Sequence, residues 1–103
     1  YHRRDVGVRK MLVGTLCVQV HIPGATSLKD KRRIVKGMIT KVQNRFNVSI
    51  AELDNEDLWR RATIGVAMIG DSQEHIERQL QFVLNFLDAE ARWEVIQVHL
   101  DWN

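Results

Sequence analysis

The chain has 103 residues, with 15 Lys and Arg against 13 Asp and Glu, 45% hydrophobic residues and a single cysteine. That length suits one domain with a modest core, and the composition is ordinary for a globular protein, which argues against intrinsic disorder. No apolar run reaches the ~18 residues a membrane span needs. One cysteine cannot form an internal disulfide, which excludes a disulfide-stapled scaffold, and a cytoplasmic location is expected.

Tyr1 to Lys10 hold Arg3, Arg4, Arg9 and Lys10 against Asp5. This segment therefore carries +3 of a total of +2, and the remaining chain is near neutral at −1. The basic isoelectric point of 9.0 thus comes from the leading residues. They contain no apolar stretch of signal-peptide length. Residues 1–10 are expected to be a basic leading segment, non-native or flexible. Met11 is the expected natural start, and residues 11–103 a single domain.

Met11 to Ile22 alternates, with Leu12, Leu16, Val18, Val20 and Ile22 on one parity. This predicts a strand with one buried face, stopped by Pro23-Gly24. Ser27 to Arg45 predicts a helix, with Ser27 as cap and Asp30 in the capping-box position. Its core face is Leu28, Val35, Met38, Ile39 and Val42. Gly37 costs this helix up to ~1 kcal/mol relative to Ala. Phe46 to Leu53 predicts a second strand, with Phe46, Val48 and Ile50 inward. An acidic hairpin containing Glu52, Asp54, Glu56 and Asp57 leads through Trp59 to a third strand, Ala62 to Ile69. A second helix runs from the Gly70-Asp71-Ser72 turn to about Glu90, with Ile76, Leu80, Val83, Leu84 and Leu87 on its core face. Trp93 to Trp102 is the last strand, with Ile96, Val98, Leu100 and Trp102 inward.

The order β-α-β-β-α-β predicts an α+β ferredoxin-like sandwich. Two right-handed crossovers give a four-stranded antiparallel sheet of order 4-1-3-2, with both helices on one face. The opposite face is left open. There Ala51, Gly65 and Ala67 are small enough for another layer to approach, so this face is a candidate homodimer or partner surface. The outward residues of its central strands include no aromatic, which excludes the base-stacking sheet of RNA-recognition domains.

Other chemistry is weaker. Cys17 and His21 lie four residues apart on one strand, about 13 Å, too far to ligate one ion. A metal site using His21, His99 and Asp101 is a minor reading, and a small-ligand-binding domain another. The acids from Glu52 to Asp57 lack the calcium-loop spacing. No nucleophile elbow, phosphate-binding glycine loop or zinc motif occurs, so no enzyme activity and no cofactor are expected.

The bases of the first helix carry more information. From Ser27 to Arg45, seven bases face the single acid Asp30, a net +6, whereas Asp71 to Glu90 is net −4. Lys29, Arg32, Arg33 and Lys36 fall on one flank of the apolar arc, with Lys31 in the same segment, while Lys41 and Arg45 fall on the other. A cationic stripe on a rigid helix suits a phosphate backbone. The bland alternative is a solvated face that balances the acidic helix. In the second helix, Phe82 lies away from the apolar arc and Phe86 at its edge. With Trp59, they are candidate contact aromatics.

The segments Met11-Leu-Val-Gly, His21-Ile-Pro-Gly, Ser27-Leu-Lys-Asp-Lys-Arg-Arg, Arg45-Phe-Asn-Val-Ser and Asp57-Leu-Trp-Arg-Arg-Ala-Thr resemble the YlxP-like family of small bacterial proteins, also known as domain of unknown function 503. The resemblance covers residues 11 to 103. It implies a ferredoxin-like fold and brings no catalytic residues. By association it implies a role near RNA or the ribosome. The expectation is a non-enzymatic accessory protein that binds RNA or a ribosomal particle through Lys29, Lys31, Arg32, Arg33 and Lys36. The alternative is a homo-oligomeric interaction or regulatory module that docks through the open sheet face or the Phe82 side.

Overall fold

The structure is a computed structural model and describes residues 10–53 and 58–103. The elements are β1 (Leu12–His21), α1 (Leu28–Arg45), β2 (Ser49–Glu52), β3 (Arg61–Gly70), α2 (Gln73–Asp88) and β4 (Glu94–Trp102). The sheet is antiparallel, in the order β2-β3-β1-β4. This is the ferredoxin-like arrangement the sequence predicts. Most of the leading segment and the acids at 54–57 lie outside the described residues.

The helix starts follow from the side chains in front of them. Ser27 accepts a hydrogen bond from the Asp30 backbone N–H at 3.0 Å, and Asp30 in turn accepts one from the Thr26 N–H at 3.2 Å. Ser72 caps α2 by accepting from the His75 N–H. Each cap satisfies a donor that the helix cannot pair internally.

The core lies between the helices and one sheet face. Leu16, Val18 and Val20 of β1 meet Ile64 and Val66 of β3, with Ile34, Val35, Met38 and Val42 of α1 and Ile76, Leu80, Val83 and Leu87 of α2. Ile34 belongs to this core although it stands outside the expected arc; Leu28 and Ile39 are only half-buried. The second strand is shorter than expected because Phe46 is the C-cap of α1, its N–H bonded to the Val42 carbonyl. Phe46 and Val48 still pack against the core.

The last strand departs most from its expected pattern. Val20 lies opposite Val95 but Gln19 lies opposite Gln97, so Ile96 is an extra residue at a β-bulge. Val95 and Trp93 take the inward role there. Trp93 is buried and its indole N–H donates to the Leu87 carbonyl at 2.7 Å. Val98 and Leu100 stand opposite Val18 and Leu16, on the helix side of the sheet, yet α2 lies mainly over β1 and β3. Ile96, Val98 and Leu100 therefore remain 39–44% exposed along an edge strand.

Candidate functional site

The seven bases of α1 separate into three groups. Lys31 is only 3% exposed, and its ammonium lies 3.5 Å from Glu52 of β2. This corrects its expected place among the phosphate contacts: its stem lies on the core side of α1, and its charge is held against β2. Lys41 and Arg45, also exposed, lie on the side nearer α2. Arg45 stacks over the Phe86 ring at 5.1 Å, and Lys41 contributes to the field at Glu90. That leaves Lys29, Arg32, Arg33 and Lys36, all exposed. With Thr26, Ser27 and Asp30 they line a shallow depression of about 430 Å³.

One acid sits inside this stripe. Arg33 donates to Asp30 at 2.6 Å. That bond, joined by the Thr26 N–H, holds the Asp30 carboxyl below its ordinary range. Asp30 is thus ionised and doubly used: it closes the N-terminal cap and tethers one guanidinium. The flank from Lys29 to Lys36 carries a net +3, with the first turn of an 18-residue helix at one end. The positive charge along the flank and the positive end of the helix dipole both favour an anion.

A second group of side chains adjoins it. The strand pairing sets Arg61 opposite His21, and the Ile22 N–H donates to the Arg60 carbonyl at 2.8 Å. The Arg60 side chain then donates from Nε to the Ala25 carbonyl at 3.3 Å. Arg60 and Arg61 are therefore pinned against the connection that leads into α1. Trp59 is 50% exposed there, and Leu58, Trp59, Arg60 and Arg61 line an open cavity of about 570 Å³. The sequence marks Trp59 as a contact aromatic. Its proximity to the basic helix is visible only in the fold.

Of the expected Phe82–Phe86 pair, Phe82 is the exposed member and Phe86 is half-buried. Phe82 is 49% exposed, whereas Phe86 packs edge-to-face on Phe46, with centroids 5.8 Å apart. Arg45 lies over the Phe86 ring, so this half-buried side chain joins the two helices. On the open face, Ala51, Gly65 and Ala67 do cluster. With Thr15, Cys17 and Ser49 they line a groove of about 360 Å³, and Leu53 folds over Gly65, where a Cβ would lie 2.7 Å from Leu53 Cδ1. His99 stands opposite Cys17 and Asp101 opposite Thr15, while His21 Nδ1 lies 2.9 Å from Glu94 Oε1. Among the described residues no three His, Cys, Asp or Glu side chains converge to hold a metal ion. Nor, among them, is any helix long and apolar enough to cross a membrane.

Fold and site together define a small ferredoxin-like domain with an exposed basic flank on its first helix. The chain belongs to a family described as proteins of unknown function, DUF503, whose model matches residues 13–100. It is 37% identical over 91 residues to "Uncharacterized protein YlxP" of Bacillus subtilis (strain 168), an alignment that covers 88% of this chain and 99% of that one. Among solved structures it is similar to the de novo designed protein Foldit4, with a TM-score of 0.52 and 16% identity, over 91% of this chain and 97% of the designed one. At that identity the likeness shows the fold alone.

Proposed function

We propose that this is a non-enzymatic accessory protein that binds RNA, free or in a ribosomal particle, through the exposed flank of α1. The observation that carries the reading is the segregation of charge on that helix. Lys31 is internal, the exposed Arg45 lies over Phe86 of α2 and the exposed Lys41 acts on Glu90, while Lys29, Arg32, Arg33 and Lys36 line one depression together on a rigid, capped element. Such a row contacts phosphates without reading sequence. With about three charges neutralised, the dependence of log K on log salt has a slope near −2, so binding falls roughly 15- to 20-fold between 50 and 200 mM salt. The test is salt-resolved binding of the wild type and of the Arg33→Glu, Lys36→Glu double variant to ribosomal RNA and ribosomal particles. Wild-type binding that weakens with salt, and its loss in the variant, is expected. Salt-independent binding, or no binding to either target, overturns the reading.

A second reading, a self-associating interaction module, is favoured by β4. It is a sheet edge with three half-exposed apolar side chains, the pattern proteins normally blunt. Sedimentation of the wild type and of Val98→Lys at high micromolar concentration decides it: a dimer that the lysine abolishes supports it, and a strict wild-type monomer removes it.

A further inference from the structure

We infer that Trp59, beside Arg60, forms a base-stacking platform within one strand's reach of the basic flank of α1, so that the ligand is single-stranded RNA rather than a duplex. This rests on the phosphate-binding reading of α1 and specifies its substrate. Three contacts fix the chain immediately after Trp59: Arg61 opposite His21, the Ile22 N–H on the Arg60 carbonyl, and Arg60 Nε on the Ala25 carbonyl. Ala25 is itself buried and fixed by a turn bond to Ile22, so the guanidinium is anchored to core backbone and not to a loose loop. Ser27, the cap of α1, follows two residues later.

The two groups therefore lie within reach of one strand. From Ala25 to Lys29 the chain spans at most about 15 Å. That is short against the ~4–16 nucleotides one single-strand module covers. The chemistry of the two parts is complementary. Lys29, Arg32, Arg33 and Lys36 offer charge but no aromatic surface. Trp59 offers a half-exposed indole beside an open cavity lined by Leu58, Arg60 and Arg61. Phosphates can be held by the first group in any nucleic acid. An indole at the surface can stack only on a base whose face is free, which a duplex does not provide. The stacking face that the sheet lacks is thus supplied at the end of the β3 hairpin arm.

The experiment uses a fluorescein-labelled 12-nucleotide oligouridine and a 12-base-pair RNA duplex, each titrated with the full chain at 50 mM salt. The proteins are wild type, Trp59→Ala, Trp59→Phe, and the Arg33→Glu, Lys36→Glu double variant, each checked for native circular dichroism. The wild type is expected to prefer the single strand and to show quenched tryptophan emission on binding. Trp59→Ala should lose five-fold or more on the single strand, the size of one stacked base, and lose the quenching. It should leave duplex binding unchanged, and Trp59→Phe should recover most of the affinity. If Trp59→Ala matches the wild type on the single strand while the double variant binds nothing, the platform is wrong and the α1 reading stands. If the wild type binds neither RNA, both fall.

Discussion

Adding one methyl group at Gly14 and one at Gly37 should have opposite effects on stability. Gly14 lies in β1, under α2. A Cβ there would sit 2.6 Å from Ile76 Cγ2 and 3.1 Å from both Leu80 Cδ1 and Trp102 Cζ3. Ordinary carbon contacts are about 3.5–4.0 Å, so Ile76 must retreat by about 1 Å. It cannot do so by a rotamer change, because it is fully buried and its χ1 is restricted in a helix. The first turns of α2 must lift from the sheet instead, an overpacking cost of about 1–3 kcal/mol. In a domain of this size that lowers Tm by roughly 4 °C or more. Gly37 lies within α1, where an added Cβ meets nothing within 4 Å. Alanine there removes backbone entropy from the unfolded chain and should stabilise by about 0.5–1 kcal/mol. Urea unfolding of Gly14→Ala and Gly37→Ala measures both, with unchanged m-values expected. If Gly14→Ala is as stable as the wild type, α2 is not seated on β1 as closely as the structure has it.

Two further outcomes separate structural charges from functional ones. Lys31→Ala leaves the Glu52 carboxylate without its nearby ammonium and opens space under α1, so a loss of about 2–3 kcal/mol is expected by chemical denaturation. Lys31→Met keeps the stem and should leave RNA affinity and its salt slope unaltered; a slope that falls by about one would return Lys31 to the phosphate contacts. The Glu90 carboxyl, bonded by the Arg92 side chain at 2.8 and 3.1 Å and by its N–H, is held at about 2 against an ordinary 4.5. Because the folded value is the lower one, this contact stabilises the protein above pH 4.5, and its contribution fades as the pH falls toward 2. With Arg92 43% exposed, it is worth about 1–2 kcal/mol. Glu90→Gln should flatten that part of the pH–stability curve between pH 2 and 5, and identical curves for variant and wild type would refute the assignment.

Much of this molecule is legible in one dimension. Alternation in Leu16, Val18 and Val20 names the buried face of β1, because side chains of a strand leave it on alternate sides. Ser27 and Ser72 mark both helix starts through chemistry confined to four residues. The element order leaves few topologies once crossovers must be right-handed. The same residues identify α1 as the cationic helix. A pattern along one element, however, gives only an angle around that element's own axis. It says nothing of where the neighbouring element ends. Val98 and Leu100 have core-like spacing but are half-exposed because α2 lies over β1 and β3. The bulge at Ile96 reverses the parity that a regular strand would keep. Lys31 and Lys36 are both lysines of one basic helix, yet only β2, arriving with Glu52, makes the first internal. Phe86 is half-buried by Phe46 and Arg45 of the other helix. Sequence thus determined which elements form, which way β1 and the helices face and which helix carries the charge. Tertiary structure decided which of those charges meet solvent, and it set Arg60 on the Ala25 carbonyl across 35 residues of chain, a link between the Trp59 segment and the connection into α1 that no local pattern encodes.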